Sequence, residues 1–389
     1  VDLVDADGPF DDGIAVYQRA PASFTGEDTL EVTLHGNPLL VERLVTACLA
    51  AGAVLAGPGD FTRRAVLSGK LPLLEAEGID LAIRATSTAG LAIARAAPRL
   101  AHHLQGLRDD LVHVTAELEA RLDYPADELA LEDDDALVAR LTDLADRADR
   151  LADTHQTGRV LVDGARVALV GAVNAGKSSL FNRLLGRERA LVHATAGTTR
   201  DVVEARGRLG GLAVTLLDTA GERVTDDPIE AAGLALAAEL IADADLLLVV
   251  LRAGDGITAA EQAVLERTAD RRRLVVLNGI DRPHRPVPDA LPVSAHTGEG
   301  LDTLRAAITA ALVDTTLDPD TIVGTARQAS LLRQAADAGR AAVDALATAG
   351  VAVAADELVQ GLEALDALTG ADTREEVLDA LFARFCIGK

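Results

Sequence analysis

The stretch "GAVNAGKSS" at residues 171–179 constrains this chain more than any other. It fits G-x-x-x-x-G-K-[ST], follows the apolar run "RVALV" and opens a helical pattern, the context in which the motif is specific. Backbone N–H groups of such a loop face phosphate oxygens at a helix N-terminus. Lys177 is expected to reach the β and γ phosphates and Ser178 to offer its hydroxyl to Mg²⁺, with Asn174, Ala175, Gly176 and Ser179 completing the cradle.

Further motifs follow in the order that GTP-binding switches use. "DTAG" ends the apolar run "AVTLLD", so Asp218 is expected near the metal, with Thr219, Ala220 and Gly221 leading to the γ-phosphate. Between it and the phosphate loop lies "HATAGTTRD", residues His193 to Asp201. Ala194, Ala196 and Gly197 belong to this switch loop, and Thr199 is expected to complete the Mg²⁺ shell when triphosphate is bound. In "LNGID", Asn278 and Asp281 end a later strand, and the Asp281 carboxylate can accept both hydrogens from the N1 and N2 edge of guanine. Adenine has no such pair, which argues for GTP over ATP. Gly279 replaces the lysine of the usual N-K-x-D, a change expected to weaken affinity more than selectivity. "PVSAHTGEG" adds Ser294 and Ala295, whose backbone can meet the guanine carbonyl.

Around this segment the patterning changes twice. Residues 1–85 mix strand-like runs ("GIAVYQRA", "TLEVTLHG") with a helical one ("LLVERLVTACLAAG") and read as a small α+β domain. Residues 86–158 and 314–389 carry Ala and Leu at helical spacing, broken once at "DYPADE", and read as one all-α domain. Residues 159–313 alternate β-branched runs with helical segments, the mark of a mostly parallel sheet covered by helices. The expected fold is therefore multidomain, with an α/β P-loop GTPase domain inserted into a helical one.

Composition narrows the chemistry. The net charge of −24 repels a polyphosphate at long range, so contact with nucleic acid must be local or delegated to a partner. The acidic excess suits either a high-salt cytoplasm or a GC-rich genome. Aromatic residues make up only 2%, so packing relies on small aliphatic side chains. No uncharged run approaches the ~18 residues of a membrane span and no signal peptide opens the chain. Two cysteines give no disulfide framework. A soluble, cytoplasmic protein is expected, with Cys48 buried in the apolar run "LVTACLAAG". A chain that opens on Val and holds no Met is expected to lack its natural start.

The tail "FARFCIGK" carries Cys386 and Lys389 beside Phe382 and Phe385, two of only six phenylalanines. Aromatic burial is expected to anchor it. Only three basic positions are lysine, Lys70, Lys177 and Lys389. Lys177 needs a compact rotatable ammonium. By themselves, Glu31 reads as a solvated strand residue and Lys70 as an ordinary turn lysine.

With "FTGEDTLEVTLHG" near the start, "GAVNAGKSSLFN" and "AGTTRD" in the middle and "FCIGK" at the end, the chain resembles the MnmE (TrmE) family of tRNA-modification GTPases over essentially its whole length. The resemblance implies a homodimer working with the flavoprotein MnmG (GidA), which holds the FAD, to install an aminomethyl-type group at C5 of the wobble uridine in tRNA. It implies that the N-terminal domain binds a tetrahydrofolate one-carbon donor through Glu31, Lys70 and Lys389, with a further family arginine preceding Val1. It also implies that Cys386 takes part in one-carbon chemistry, as nucleophile or as lining.

For hydrolysis, the resemblance implies G domains that pair around K⁺, held by Asn174, His193, Thr195 and Thr198, with His193 departing from the family's threonine. Glu230 matches the family's water-aligning glutamate, and Glu222, directly after "DTAG", is the competing candidate. Two other functions fit the GTPase motifs. One is a ribosome-assembly GTPase, against which stand the "FTGED" segment and the lack of an RNA-binding module or basic stripe after the G motifs. The other is a free-standing folate-dependent transferase, which activity without the flavoprotein would favour.

Overall fold

The computed structural model describes residues 1–123, 133–186, 202–219, 242–371, 375–383 and 385. They divide into two compact units, Val1–Asp80 with Ala96–Ala152 and Ala326–Lys389, and Leu81–Arg95 with Asp153–Thr325.

The N-terminal segment starts with two antiparallel pairs. β1 (Asp2–Asp5) pairs with β2 (Gly8–Asp12) across a bulge between Leu3 and Val4, and β3 (Ile14–Gln18) pairs with β4 (Thr29–Thr33), setting Val16 opposite Glu31. α1 (Pro38–Ala50) is started by Asn37, whose side chain accepts the Leu39 N–H, and by Pro38, whose missing N–H costs nothing in the first turn. α2 (Asp60–Leu67) and α3 (Leu73–Arg84) follow. α1 buries no residue within the chain, so Leu39, Val41, Val45 and Leu49 stand exposed. Cys48 shares that fate: it is exposed, not the buried thiol that its apolar neighbours suggest.

Next come α4 (Thr88–Arg95), the long α5 (Ala97–Asp123), α6 (Asp134–Asp153) and α7 (His155–Asp163). On α5 the buried leucines and valine, Leu100, Leu104, Leu107, Leu111, Val114 and Leu118, alternate spacings of three and four that put one stripe against neighbouring helices. α6 does the same with Leu137, Leu141, Leu144 and Ala148.

The α/β part comprises β5 (Ala165–Val170), α8 (Lys177–Leu185), β6 (Val202–Leu209), β7 (Leu212–Thr219), β8 (Leu246–Arg252), α9 (Ala259–Arg267), β9 (Arg273–Asn278), β10 (Leu291–Val293) and α10 (Leu301–Leu312). The sheet order is β10-β9-β8-β5-β7-β6, parallel except for β6, which pairs antiparallel with β7 at the edge. Period-two alternation feeds two cores: Val167 and Leu169 join Leu216, Leu248 and Val250 on one face, while Ala168 and Val170 join Leu217, Leu247 and Val249 on the other. Burial on both faces is why these strands read as continuous apolar runs. β6 goes unremarked in that reading because it is an edge: Ala205 and Leu209 are buried while Glu204, Arg206 and Arg208 are exposed.

After a short 3₁₀ turn at Pro319–Thr321 the chain returns through α11 (Ala326–Thr348), α12 (Val351–Thr369) and α13 (Glu375–Phe382). Small residues let the bundle close. A Cβ added at Gly361 would meet Ala338 and Leu111 at 3.2 Å. Glu77 on α3 is 3% exposed and is held by a bidentate Arg327 and by Gln328 of α11. Among the described residues, no helix is long and apolar enough to cross a membrane.

Candidate functional site

The nucleotide loop lies where β5, central in the sheet, hands over to α8 at the carboxyl end of the strand, the position at which open α/β sheets bind ligands. Asn174 and Gly176 take left-handed backbone angles, φ 63° and 88°. At Gly176 a side chain is excluded twice, by that angle and by Asn278, whose Nδ2 would lie 2.3 Å from an added Cβ. Lys177 is 6% exposed, and its Nζ donates to the Gly171 carbonyl at 2.8 Å and the Ala172 carbonyl at 3.1 Å, so the ammonium caps the loop. Ala175 is buried, and Ser178 and Ser179 are exposed on the first turn of α8.

β7 lies beside β5 with Asp218 in register with Leu169. Asp218 is 6% exposed, and its buried Oδ1 has no hydrogen-bond partner among the described residues. A buried carboxylate oxygen is costly unless a cation or donor meets it. The exposed Ser178 hydroxyl and this carboxylate are hard oxygen donors of the kind Mg²⁺ takes, directly or through water, so the residues present fit that ion.

The residues expected to read the base are held by a chain of hydrogen bonds. Asn278 ends β9, donates from Nδ2 to the Ala175 carbonyl at 3.1 Å and accepts the Ala295 N–H at 3.0 Å. Ser294 is fully buried and donates its hydroxyl to Asp281 Oδ1 at 2.6 Å while accepting the Thr297 N–H. That hydroxyl holds the exposed Asp281 carboxyl below its ordinary pKa, keeping it an acceptor. The Gly279 N–H donates to the Val293 carbonyl at 2.8 Å, joining β9 to the end of β10. Sequence reasoning gave Ser294 a backbone role only; its side chain orients Asp281, a contact across 13 residues that no local pattern signals.

In the N-terminal segment Glu31 is exposed on β4, and exposed Lys70 donates from Nζ to the Pro21 carbonyl at 2.9 Å. No ion pair joins these two among the described residues. The "FTGED" loop is seated by Ser68, which donates to the Thr25 carbonyl at 2.6 Å. At the other end of the chain Phe382 and Phe385 are 1% and 7% exposed, their rings 4.8 Å apart, in a cluster with Leu73, Ala76 and Leu378. The aromatic anchor expected of the tail is present. His193, Ala194, Thr195, Ala196, Gly197, Thr198, Thr199, Ala220, Gly221, Glu222, Glu230, Cys386 and Lys389 lie outside the described residues, and of Thr219 the backbone ends β7.

With the phosphate loop at the end of β5 and the Asn278–Asp281 segment at the end of β9, two strands away in the same sheet, the α/β unit is that of a P-loop GTPase. The fuller likeness extends beyond that unit. The "MnmE helical domain" profile matches residues 73–386, and the "GTP-binding protein TrmE N-terminus" profile matches residues 2–70. The tRNA modification GTPase MnmE of Myxococcus xanthus is 41% identical over 100% of this chain and 88% of its own. Those of Opitutus terrae and Chloroflexus aurantiacus are 40% and 39% identical over 97% of this chain, covering 87% and 86% of theirs. The chain belongs to the MnmE family.

Two solved structures are also similar. Aquifex aeolicus Era bound to GDP and AlF₄⁻ is 26% identical over 45% of this chain and 66% of that one, with a TM-score of 0.33. The G domain of the T. maritima FeoB iron transporter is 25% identical over 38% and 98%, with a TM-score of 0.31.

Proposed function

We propose that this chain is the GTP-hydrolysing component of a complex that adds an aminomethyl or carboxymethylaminomethyl group to C5 of the wobble uridine of tRNA. The carrying observation is that the likeness to relatives named tRNA modification GTPase MnmE spans the N-terminal and helical segments as well as the GTPase unit. The domain division is 1–85, 86–158 with 314–389, and 159–313, in a cytoplasmic homodimer. The apolar residues left exposed on the N-terminal strands and on α1, among them Ile14, Leu30, Leu39 and Val41, support self-association through that segment.

In this reading GTP sits with its phosphates on Asn174 to Ser179 and its base against Asp281. Ser178 and Thr199 would hold Mg²⁺, with Asp218 close by, and the ion would supply neutralisation of phosphate charge there. Asn174, His193, Thr195 and Thr198 would hold K⁺, which would supply the positive charge an arginine finger gives elsewhere, and Glu230 would align the attacking water. Hydrolysis drives rearrangement. The carbon comes from a tetrahydrofolate derivative held by Glu31, Lys70 and Lys389, with Cys386 beside it and FAD on the flavoprotein partner MnmG. tRNA is bound largely through the complex, in keeping with the net charge of −24.

Mass spectrometry of wobble nucleosides from a strain lacking this gene, with and without plasmid-borne copies, tests the reading. The modified uridine should vanish and return with the intact gene; unchanged nucleosides in the deletion strain would end it.

A further inference from the structure

None of the 13 residues of α1 is buried, so apolar packing does little to hold this helix on its own chain. Two polar links tie it to the pair of β1 and β2. From the middle of the helix, Arg43 makes a bidentate pair with Asp5 of β1, Nη2 donating to Oδ1 at 2.8 Å, and its guanidinium lies 5.0 Å from the centre of the Phe10 ring. At the entrance to the helix stands His35. Its N–H donates to Asp11 Oδ2 at 3.0 Å, and its Nδ1 meets Asp11 Oδ1 at 2.8 Å. One carboxylate of β2 thus holds both the backbone and the ring of a residue 24 positions further on. The His35 carbonyl accepts the Asn37 N–H at 2.8 Å, and Asn37 caps α1, so hydrogen bonds run unbroken from Asp11 to the first turn of the helix.

The two links answer pH differently. Arginine stays charged throughout, whereas histidine changes charge between about pH 5 and pH 8. The Asp11 side chain is 8% exposed and that of His35 70% exposed, so the carboxylate is enclosed while the ring stays open to protons from solvent. The hydrogen bond to Asp11, then the charges of Asp11 and Asp12, hold His35 above its ordinary value of 6.5. These two carboxylates of β2 are the charged groups that act on the ring. Asp11 is in turn held below 3.8, mainly by its hydrogen bond with His35. A raised histidine contributes in full below 6.5, and its contribution is lost as pH rises through the raised value. Asp11 loses its own only as pH falls through the lowered value. The pair is therefore tightest between these limits. In alkali the neutral ring can still donate from Nδ1, but without the assistance of charge.

We propose that His35 and Asp11 form a pH-sensitive latch on α1, fastening the start of the helix to β2 at mildly acid pH and loosening it in alkali. Arg43 and Asp5 are the fixed link, so α1 slackens at its entrance and is not released.

The test is hydrogen–deuterium exchange of the full chain, with peptides covering α1 read by mass spectrometry at about pH 5.5 and about pH 8.5. His35→Gln keeps an amide donor that does not titrate, and Asp11→Asn removes the charge that the ring meets. Melting curves and GTP hydrolysis show whether each variant is folded. Relative to His35→Gln at the same pH, exchange of α1 in the parent should rise by about twofold to fivefold from the lower pH to the higher, the size an exposed pair contributes. Asp11→Asn should show no such rise. A parental ratio that is the same at both pH values would overturn the latch, and so would the full rise in Asp11→Asn. Sedimentation equilibrium of the same samples reads self-association, and this arm alone rests on the proposal that the N-terminal segment joins two copies. Association that weakens in alkali in the parent and not in His35→Gln would extend the latch to that contact. Association independent of pH, with α1 exchange still pH-dependent, would leave the latch standing and take α1 out of the contact.

Discussion

The side-chain amide of Asn278 donates to the carbonyl of Ala175 at 3.1 Å, joining the end of β9 to the loop between β5 and α8. The two residues are 103 positions apart. Because Asn278 also accepts the Ala295 N–H, one buried amide braces the β5–α8 loop against the segment that follows β10.

Asn278→Ala should leave that N–H and carbonyl without partners, at a cost of about 1–3 kcal/mol. Nucleotide affinity, read by a fluorescent GDP analogue, is expected to fall roughly tenfold to a hundredfold. An unchanged dissociation constant would show that the loop keeps its shape without the bridge.

Ser294→Ala tests how Asp281 is kept ionised. The Ser294 hydroxyl lowers the Asp281 pKa below its ordinary value of 3.8. A depressed carboxylate contributes above its ordinary value, and the contribution is lost as pH falls through the lowered one. GDP binding should therefore persist further into acid in the parent than in Ser294→Ala, whose curve turns down at higher pH. Coincident pH profiles would show that another group holds the carboxylate.

Asp218→Asn separates a metal role from a packing role. It should weaken the Mg²⁺ dependence of GTP hydrolysis by about 10–100-fold. The melting temperature without nucleotide should hold or rise, because a neutral amide is cheaper to bury than a carboxylate whose Oδ1 has no partner among the described residues. Parental Mg²⁺ dependence would argue against the assignment.

Glu77→Ala should destabilise the unit that contains the helical bundle by about 3–5 kcal/mol, since Arg327 and Gln328 would lose a buried acceptor. Urea unfolding followed by far-ultraviolet circular dichroism measures this. Glu77→Gln, which retains an acceptor, should lose less.

Steady-state GTP hydrolysis in KCl against NaCl, with Glu230→Ala and Glu222→Ala, addresses the potassium switch. Faster hydrolysis in KCl and a deep loss in Glu230→Ala are expected. Equal rates in the two salts would remove the role of K⁺, and a normal rate in Glu230→Ala would pass the water-aligning role to Glu222.

By itself the sequence determined the nucleotide chemistry and the order of the elements. Phosphate loops and guanine readers are short contiguous segments whose residue types are dictated by backbone approach and donor geometry, so "GAVNAGKSS" and "LNGID" carry their meaning locally. The parallel strands were legible for the same reason, since burial on both faces writes an unbroken apolar run. Tertiary structure decided what depends on partners far along the chain: that Asn278 braces Ala175, that the Ser294 side chain steers Asp281, and that Gly59 is bare because Phe382 and Phe385 rest on it. It also reversed the expectation for Cys48, because an apolar run says only that burial is favourable and not that another element of the same chain covers it. The tail shows the division in one place. Its two phenylalanines announced in sequence that it is anchored, and only the folded chain could say that the anchor is the start of α2, because a contact between distant residues leaves no trace in the spacing of either.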